Sequence, residues 1–384
     1  MIYFDNAATT RMRPEVIKAM MPFFDKSYGN ASSLHDLGQN ARAALEASRE
    51  SIAKILSVEP NEIIFCSCAT EANNLALKGL AFEAKKEGKN HLIVSKIEHH
   101  CVLNAAEWLE QNGFDVTYLP VDSYGFVDLG KLENSINDKT FLVSVMYANN
   151  EIGTIEPIKE IAEICAAKGV PLHTDAVQAF GKIPVETKGI SMMALSAHKI
   201  YGPKGVGLLM KRSDIKLEPL LHGGGHEFNL RSGTENVAGI VGFAKALELA
   251  LKEMPKESKR QKEMRDEIIK RVLEIPETRL NGHPKIRLPN NANFSFRYVE
   301  GESIIMKLNE HNIAASTGSA CSSPKLEPSH VLLALGLPPS DAHGSLRISL
   351  GRYNKKREVD YFCKVLPGII DELRSISPFW KAKR

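Results

Sequence analysis

The sequence predicts an α/β fold: a mostly parallel sheet of seven strands in a large domain, followed by a smaller α+β domain. Seven short apolar runs lie between turn signals, at Ile63–Cys66, Leu92–Ser95, Val116–Leu119, Phe141–Tyr147, Val170–Thr174, Met193–Ser196 and Val206–Met210. Helical periodicity fills most of the gaps, at Asn40–Leu56, Glu71–Lys86, Cys101–Gln111 and Pro157–Lys168. The runs do not alternate polar with apolar, which fits strands buried on both faces by covering helices. The pattern then changes. A charged amphipathic helix is expected over Lys256–Leu273, followed by the Pro/Asn-rich Leu288-Pro289-Asn290-Asn291, a strand over Ala292–Phe296 and shorter helices. A boundary is placed near residue 258, giving a large domain over 15–258 and a small one from 1–14 and 259–384.

The 384 residues suffice for two domains with sizeable cores. Apolar content of 43% and charged content of 25% are ordinary for a globular chain. Basic residues number 49 and acidic ones 46, a net charge of +3. That balance argues against nucleic acid or a membrane surface as partner. The start, Met1-Ile2-Tyr3-Phe4-Asp5-Asn6, shows no basic or apolar leader, and no apolar run approaches a membrane span. Six scattered cysteines without a paired framework fit a reducing cytoplasm.

In an open parallel sheet, ligands sit beyond the carboxyl ends of the strands. Polar clusters fall at five successive strand ends. Ser67-Cys68-Ala69-Thr70-Glu71 opens a helix, whose N–H groups and dipole suit a phosphate. Glu98-His99-His100, Ala148-Asn149-Asn150-Glu151, Asp175 with Gln178, and His198-Lys199 follow later strands. Singly, each reads as an N-cap, a polar turn or a structural histidine. Together they suggest a pyridoxal 5′-phosphate site. A lysine amine can form a Schiff base, and a carboxylate can keep the pyridine nitrogen protonated.

The residues resemble the cysteine desulfurases, the NifS/IscS-like branch of the class V, fold-type I pyridoxal phosphate enzymes. The resemblance runs from Tyr3-Phe4-Asp5-Asn6-Ala7-Ala8 to Leu346-Arg347-Ile348-Ser349-Leu350-Gly351-Arg352. Its most specific stretches are Tyr28–Ser33, Ala148–Thr154, Ser196–Lys199, Leu230–Asn236 and Ser316–Ser323. It implies that Lys199 holds the cofactor, Asp175 pairs with the pyridine nitrogen and Gln178 bonds the phenolic oxygen. His99 is expected to stack on the ring and to accept the substrate thiol proton. Ala69, Thr70, Ser196 and His198 would grip the phosphate, with Thr234 added from the neighbouring subunit of a homodimer. Asn149 and Arg347 would bind the substrate, the latter forking onto its carboxylate.

Cys321 carries the specific chemistry. It sits among Gly318, Ser319, Ala320, Ser322 and Ser323, where small neighbours suit a thiol that must travel. By itself it reads as a structural cysteine; the matching motif makes it the sulfur acceptor and a transient iron–sulfur ligand. The implied reaction converts L-cysteine to L-alanine and leaves a persulfide on Cys321, supplying an iron–sulfur cluster scaffold protein. Pro324 and Pro328 restrict the segment that follows.

Other features read as structural. Cys66 and Cys68 form only a CxC pair, and Cys101, Cys165 and Cys363 read as packing residues. Gly202–Gly207 is taken as a turn after Lys199, and Gly223-Gly224-Gly225-His226 as a flexible segment near the subunit interface. His99-His100-Cys101 lacks a partner set for zinc. Two alternatives remain: another enzyme of the same fold, such as a selenocysteine lyase, and a non-catalytic sulfur-carrier scaffold. The first shares the lysine and aspartate without requiring the cysteine loop.

Overall fold

The structure is a computed structural model that describes residues 1–318 and 328–381. Twelve strands are seen among them: β1 (Ile2–Tyr3), β2 (Ile63–Cys66), β3 (His91–Ser95), β4 (Asp115–Leu119), β5 (Thr140–Ser144), β6 (Leu172–Asp175), β7 (Met192–Ser196), β8 (Gly207–Lys211), β9 (Thr278–Asn281), β10 (Asn291–Phe296), β11 (Ile313–Ala314) and β12 (Ser345–Ser349). All seven expected runs are strands of one sheet, ordered β2-β8-β7-β6-β5-β3-β4. Only β8 runs antiparallel to its neighbours. Apolar content does not encode direction, so the reversal was not legible.

Adjacent residues of β2, β3, β7 and β8 feed different cores, which explains the absence of alternation. Met193 and Leu195 of β7 pack with Phe65, Ile161 and Phe243 on one side. Met192 and Ala194 pack with Leu77, Leu109 and Phe141 on the other. A second sheet, β12-β10-β9, is antiparallel. Its apolar face, with Phe294, Phe296, Leu346 and Ile348, packs with Phe362 and Leu366 of a helix over Lys356–Ile376 and with Ile268 and Val272.

Two expectations need correction. The helix expected from Lys256 spans Val237–Val272 without interruption, Pro255 included. Packing overrides the proline, because Ile240, Phe243 and Leu247 are buried in one core and Met264, Ile268 and Val272 in another. The helix expected over Glu71–Lys86 contains a π-helical segment at Leu75–Gly79. There the chain crowds Glu218: a Cβ on Gly79 would lie 2.8 Å from its carbonyl oxygen.

One buried ion pair fixes an unusual turn. Glu227, Phe228 and Asn229 all have positive φ, at 47°, 58° and 65°. Left-handed geometry costs about 1–2 kcal/mol per residue in an L-amino-acid chain. Glu227 offsets that cost by gripping Arg49 with both oxygens, at 2.7 and 2.9 Å, and accepting from the Phe65 N–H at 2.7 Å. The Arg49 guanidinium lies over the rings of Phe65 and Phe228. Removing Glu227 leaves the buried Arg49 charge with the Ile63 carbonyl and, as its one remaining carboxylate among the described residues, the partly exposed Glu46. Glu227→Ala is therefore expected to lower unfolding free energy by about 3 kcal/mol, the low end for a broken buried pair. Urea denaturation measures this, and a loss below about 1 kcal/mol contradicts the assignment.

Candidate active site

The carboxyl ends of β2, β3, β5, β6 and β7 converge on a cavity of about 250 Å³. Its wall includes Ala7, Ala8, Cys68, Ala69, Thr70, His99, Cys101, Met146, Asn150, Asp175, Val177, Gln178, Ser196, His198, Lys199 and Arg347. Residues spread over 341 positions thus meet in one place because parallel strands end at one edge.

Lys199 closes a short 3-10 turn immediately after β7. Its Nζ donates to the carbonyls of Ala7 and Ala8 at 2.6 and 2.7 Å. Gln178 Nε2 donates to the Ala7 carbonyl as well, at 2.9 Å. Asp175, the last residue of β6, accepts from Asn73 Nδ2 at 2.8 Å and from the Val177 N–H at 3.0 Å. Asn73 was absent from the sequence reading, since nothing in its local pattern separates it from a helix interior residue.

His99 caps the helix over His100–Gln111: its Nδ1 accepts from the Cys101 N–H at 3.2 Å. Burial, aided by the Lys199 charge against the pull of Asp175, pushes the imidazole down. His198 Nδ1 sits 3.1 Å from Thr9 Oγ1, and burial beside Lys199 pushes it down to about 4. The helix beginning at Ala69 has no side-chain cap for its first N–H groups, and Cys68, Ala69 and Thr70 at its start line the cavity. Gly207 makes room for this turn, because a Cβ there would lie 2.7 Å from the Cys68 carbonyl carbon. Ser196 Oγ is buried without a hydrogen-bond partner among the described residues. The donors of an uncapped helix start, a buried hydroxyl and a lysine amine, with a carboxylate as acceptor, form a set suited to a phosphorylated pyridine aldehyde.

Arg347 reaches the cavity from β12, held by Asp5 at 2.9 Å and by the Asn150 carbonyl at 3.1 Å. Its Nε has no partner among the described residues. Asn149 is not brought to the wall. It is fully buried, its Nδ2 donating to the Ile97 carbonyl and to Met146 Sδ, its Oδ1 accepting from the Glu151 and Ile152 N–H groups. Those bonds shape the turn that presents Asn150 instead. Thr234 is exposed and lines a different depression with Arg231 and Asn236. Cys321 lies outside the described residues. Cys101 packs against an apolar core, as expected, and also lines the cavity, with its sulfur 3.1 Å from His99 Nδ1; its place in the first turn of a helix gave no sign of the second role.

The class-V aminotransferase family profile matches residues 2–362. A cysteine desulfurase IscS of Clostridium botulinum (strain Hall) is 50% identical, covering 99% of this chain and 97% of its own. The chain belongs to this family. A cysteine desulfurase IscS from Methanosarcina thermophila is 51% identical over 98% of this chain and 94% of its own. A solved NifS-like protein superposes with a TM-score of 0.91 at 41% identity, covering 97% and 100% of the two chains. A structure described as SspA in complex with cysteine gives 0.81 at 38%, covering 92% and 100%. The expected fold, that of the class V, fold-type I enzymes, is therefore the one present. No helix among the described residues is long and apolar enough to cross a membrane. None of their His, Cys, Asp and Glu side chains forms a group of three or more able to hold a metal.

The strand that carries Asp175 also carries a pH liability. His173 is fully buried with Nδ1 2.8 Å from Ser144 Oγ, and burial pushes it down to about 3. The unfolded chain takes up this proton near pH 6.5, the folded chain only near pH 3, so stability is lost as pH falls between them. Urea midpoints are expected to drop across that window by a few kcal/mol in unfolding free energy, and His173→Asn to flatten the slope. An unchanged slope in the variant contradicts the assignment.

Proposed function

We propose that this chain is a pyridoxal 5′-phosphate-dependent cysteine desulfurase that converts L-cysteine to L-alanine and places the sulfur on Cys321. The carrying observation is the convergence of Lys199, Asp175, Ser196 and Arg347 on one cavity. Identity of about half the residues with relatives named cysteine desulfurase supports the reading.

The cavity residues divide the work. Lys199 would hold the cofactor through Nζ, and Asp175 would face the pyridine nitrogen. Gln178 would meet the phenolic oxygen and His99 the ring face. Thr70, Ser196, His198 and the amides after Cys68 would take the phosphate. Bound there, the cofactor supplies an electron sink for the bonds at the substrate α-carbon. Arg347 would fork onto the substrate carboxylate with its guanidinium. Lys199 Nζ would move the α-proton. The Cys321 thiolate would attack the substrate sulfur: an S–S bond forms, the C–S bond breaks, and its electron pair stays with carbon.

Chain connectivity supports the part given to Cys321. Ser316 pairs through its backbone with Arg347, and the described chain continues to Gly318. Cys321 is three residues further, a span of at most about 10 Å from Gly318. The proposal includes a large pyridoxal phosphate-binding domain over 15–258 and a small domain from 1–14 and 259–384. It also includes a homodimer in which Thr234 completes the partner's phosphate site. Exposed Phe24, Tyr28, Leu34 and Phe228 suit such a contact. The sulfur would pass to an iron–sulfur cluster scaffold protein in the cytoplasm, with Cys321 as a transient cluster ligand.

Two variants test the assignment. Lys199→Ala is expected to lose turnover and the absorption of the lysine-bound cofactor. Cys321→Ser is expected to keep that absorption while persulfide formation falls below about one-hundredth, as for loss of a nucleophile. Full transfer of labelled sulfur by the Cys321 variant sinks the proposal.

A further inference from the structure

We infer that Cys101 and Asn73 are positioning residues that hold His99 with its proton on Nε2, so that His99 meets the substrate sulfur as a hydrogen-bond donor. The first ground is geometric. The Cys101 backbone N–H can only donate, and it points at His99 Nδ1 from 3.2 Å. Nδ1 must therefore present a lone pair, and the neutral ring carries its proton on Nε2.

The second ground is the neighbouring hydrogen-bond chain. Asn73 Nδ2 donates to Asp175 Oδ2 at 2.8 Å and to Cys101 Sγ at 3.1 Å. Its amide orientation is fixed, because a flip would set the amide oxygen against a carboxylate oxygen. Cys101 Sγ thus already accepts; of the two groups beside its single hydrogen, His99 Nδ1 at 3.1 Å and the Thr70 side chain, we assign it to Nδ1. The chain runs in one direction, from Asn73 through the Cys101 thiol to His99. Burial, with Asp175 adding to it, pushes that thiol up to about 12, so it stays protonated.

The groups facing His99 favour a neutral ring on balance. Asp175 at the end of β6 favours the charged form. Burial, Lys199 after β7, His100 on the same helix and His330 from the segment after residue 327 oppose it, and the balance is downward. His100 and His330 face each other with ring centroids 4.6 Å apart. His99 Nε2 has no hydrogen-bond partner among the described residues and His99 lines the cavity.

The role at sulfur rests on the desulfurase reading. In that transfer the C–S pair stays with carbon while sulfur receives a new bond from a thiolate. A donor on sulfur withdraws electron density and assists the attack. A base at Nε2 would do the opposite, and that position already carries hydrogen. The inference therefore reverses the expectation that His99 accepts the substrate thiol proton.

The test uses full-length, histidine-labelled protein, with and without cofactor, and long-range nitrogen–proton NMR. His99 signals are assigned by their loss in His99→Asn. Nδ1 is expected unprotonated and Nε2 protonated at neutral pH. Cys101→Ala removes one donor to Nδ1, so the His99 titration midpoint is expected to rise by about one pH unit. Cys101→Ser keeps a donor and is expected to hold the original midpoint. A proton on Nδ1, or an unmoved midpoint in Cys101→Ala, overturns the inference. None of these readouts needs turnover. A chain that releases no alanine from cysteine would remove the proposed function and leave the tautomer result standing.

Discussion

Residues Asp5–Thr10 hold the molecule together at its centre. On one side Asn6 donates to the Ser349 carbonyl and the Ala7 N–H bonds Ser349 Oγ, both on β12. On the other, the Thr10 N–H bonds the His198 carbonyl, and the carbonyls of Ala7 and Ala8 receive Lys199. This short strap ties β12 of one sheet to the turn after β7 of the other, and it forms part of the cavity wall. Arg347 from one sheet and Lys199 from the other can face a common ligand because the strap sets their separation. Asp5, within the same strap, also orients Arg347.

Much of the cavity's character follows from crowding cationic nitrogen in a low-dielectric place. Lys182 donates to the Gln178 carbonyl, and burial with help from Lys199 pushes it down to about 7. His198 responds to burial and to the same lysines in the same direction. The site lowers its own tendency to hold positive charge, and an anionic ligand would relieve it. Asp175, held by Asn73 and the Val177 N–H, supplies the opposing carboxylate.

The sequence was readable where one physical rule decided the outcome. Burial on both faces made β2 to β8 visible as apolar runs, and the strand-end rule gathered Thr70, His99, Asp175, Gln178 and Lys199. It was less readable where tertiary context decides. β9 reads Thr278-Arg279-Leu280-Asn281 and carries too little apolar signal to be seen as a strand. Pro255 and Pro367 mark helix starts or breaks by local rules, yet both lie inside helices held by packing, the first in two cores and the second in one. Asn149 and Asn150 are identical side chains in sequence; only the turn geometry decides which one is consumed by backbone bonds. Asn73 and Cys101 matter through each other and Asp175, a relation that no single window contains.

The helix over Val237–Val272 spans 36 residues and contributes side chains to both major cores. An element shared this way couples the melting of the two regions. Fraying either end exposes apolar surface in one core and withdraws the backbone support of the other. The two sheets are thus architecturally separate and thermodynamically linked, so the chain resembles one cooperative unfolding unit more than two tethered ones. Excising either half would leave half of this helix as an amphipathic segment with nothing to bury its apolar face.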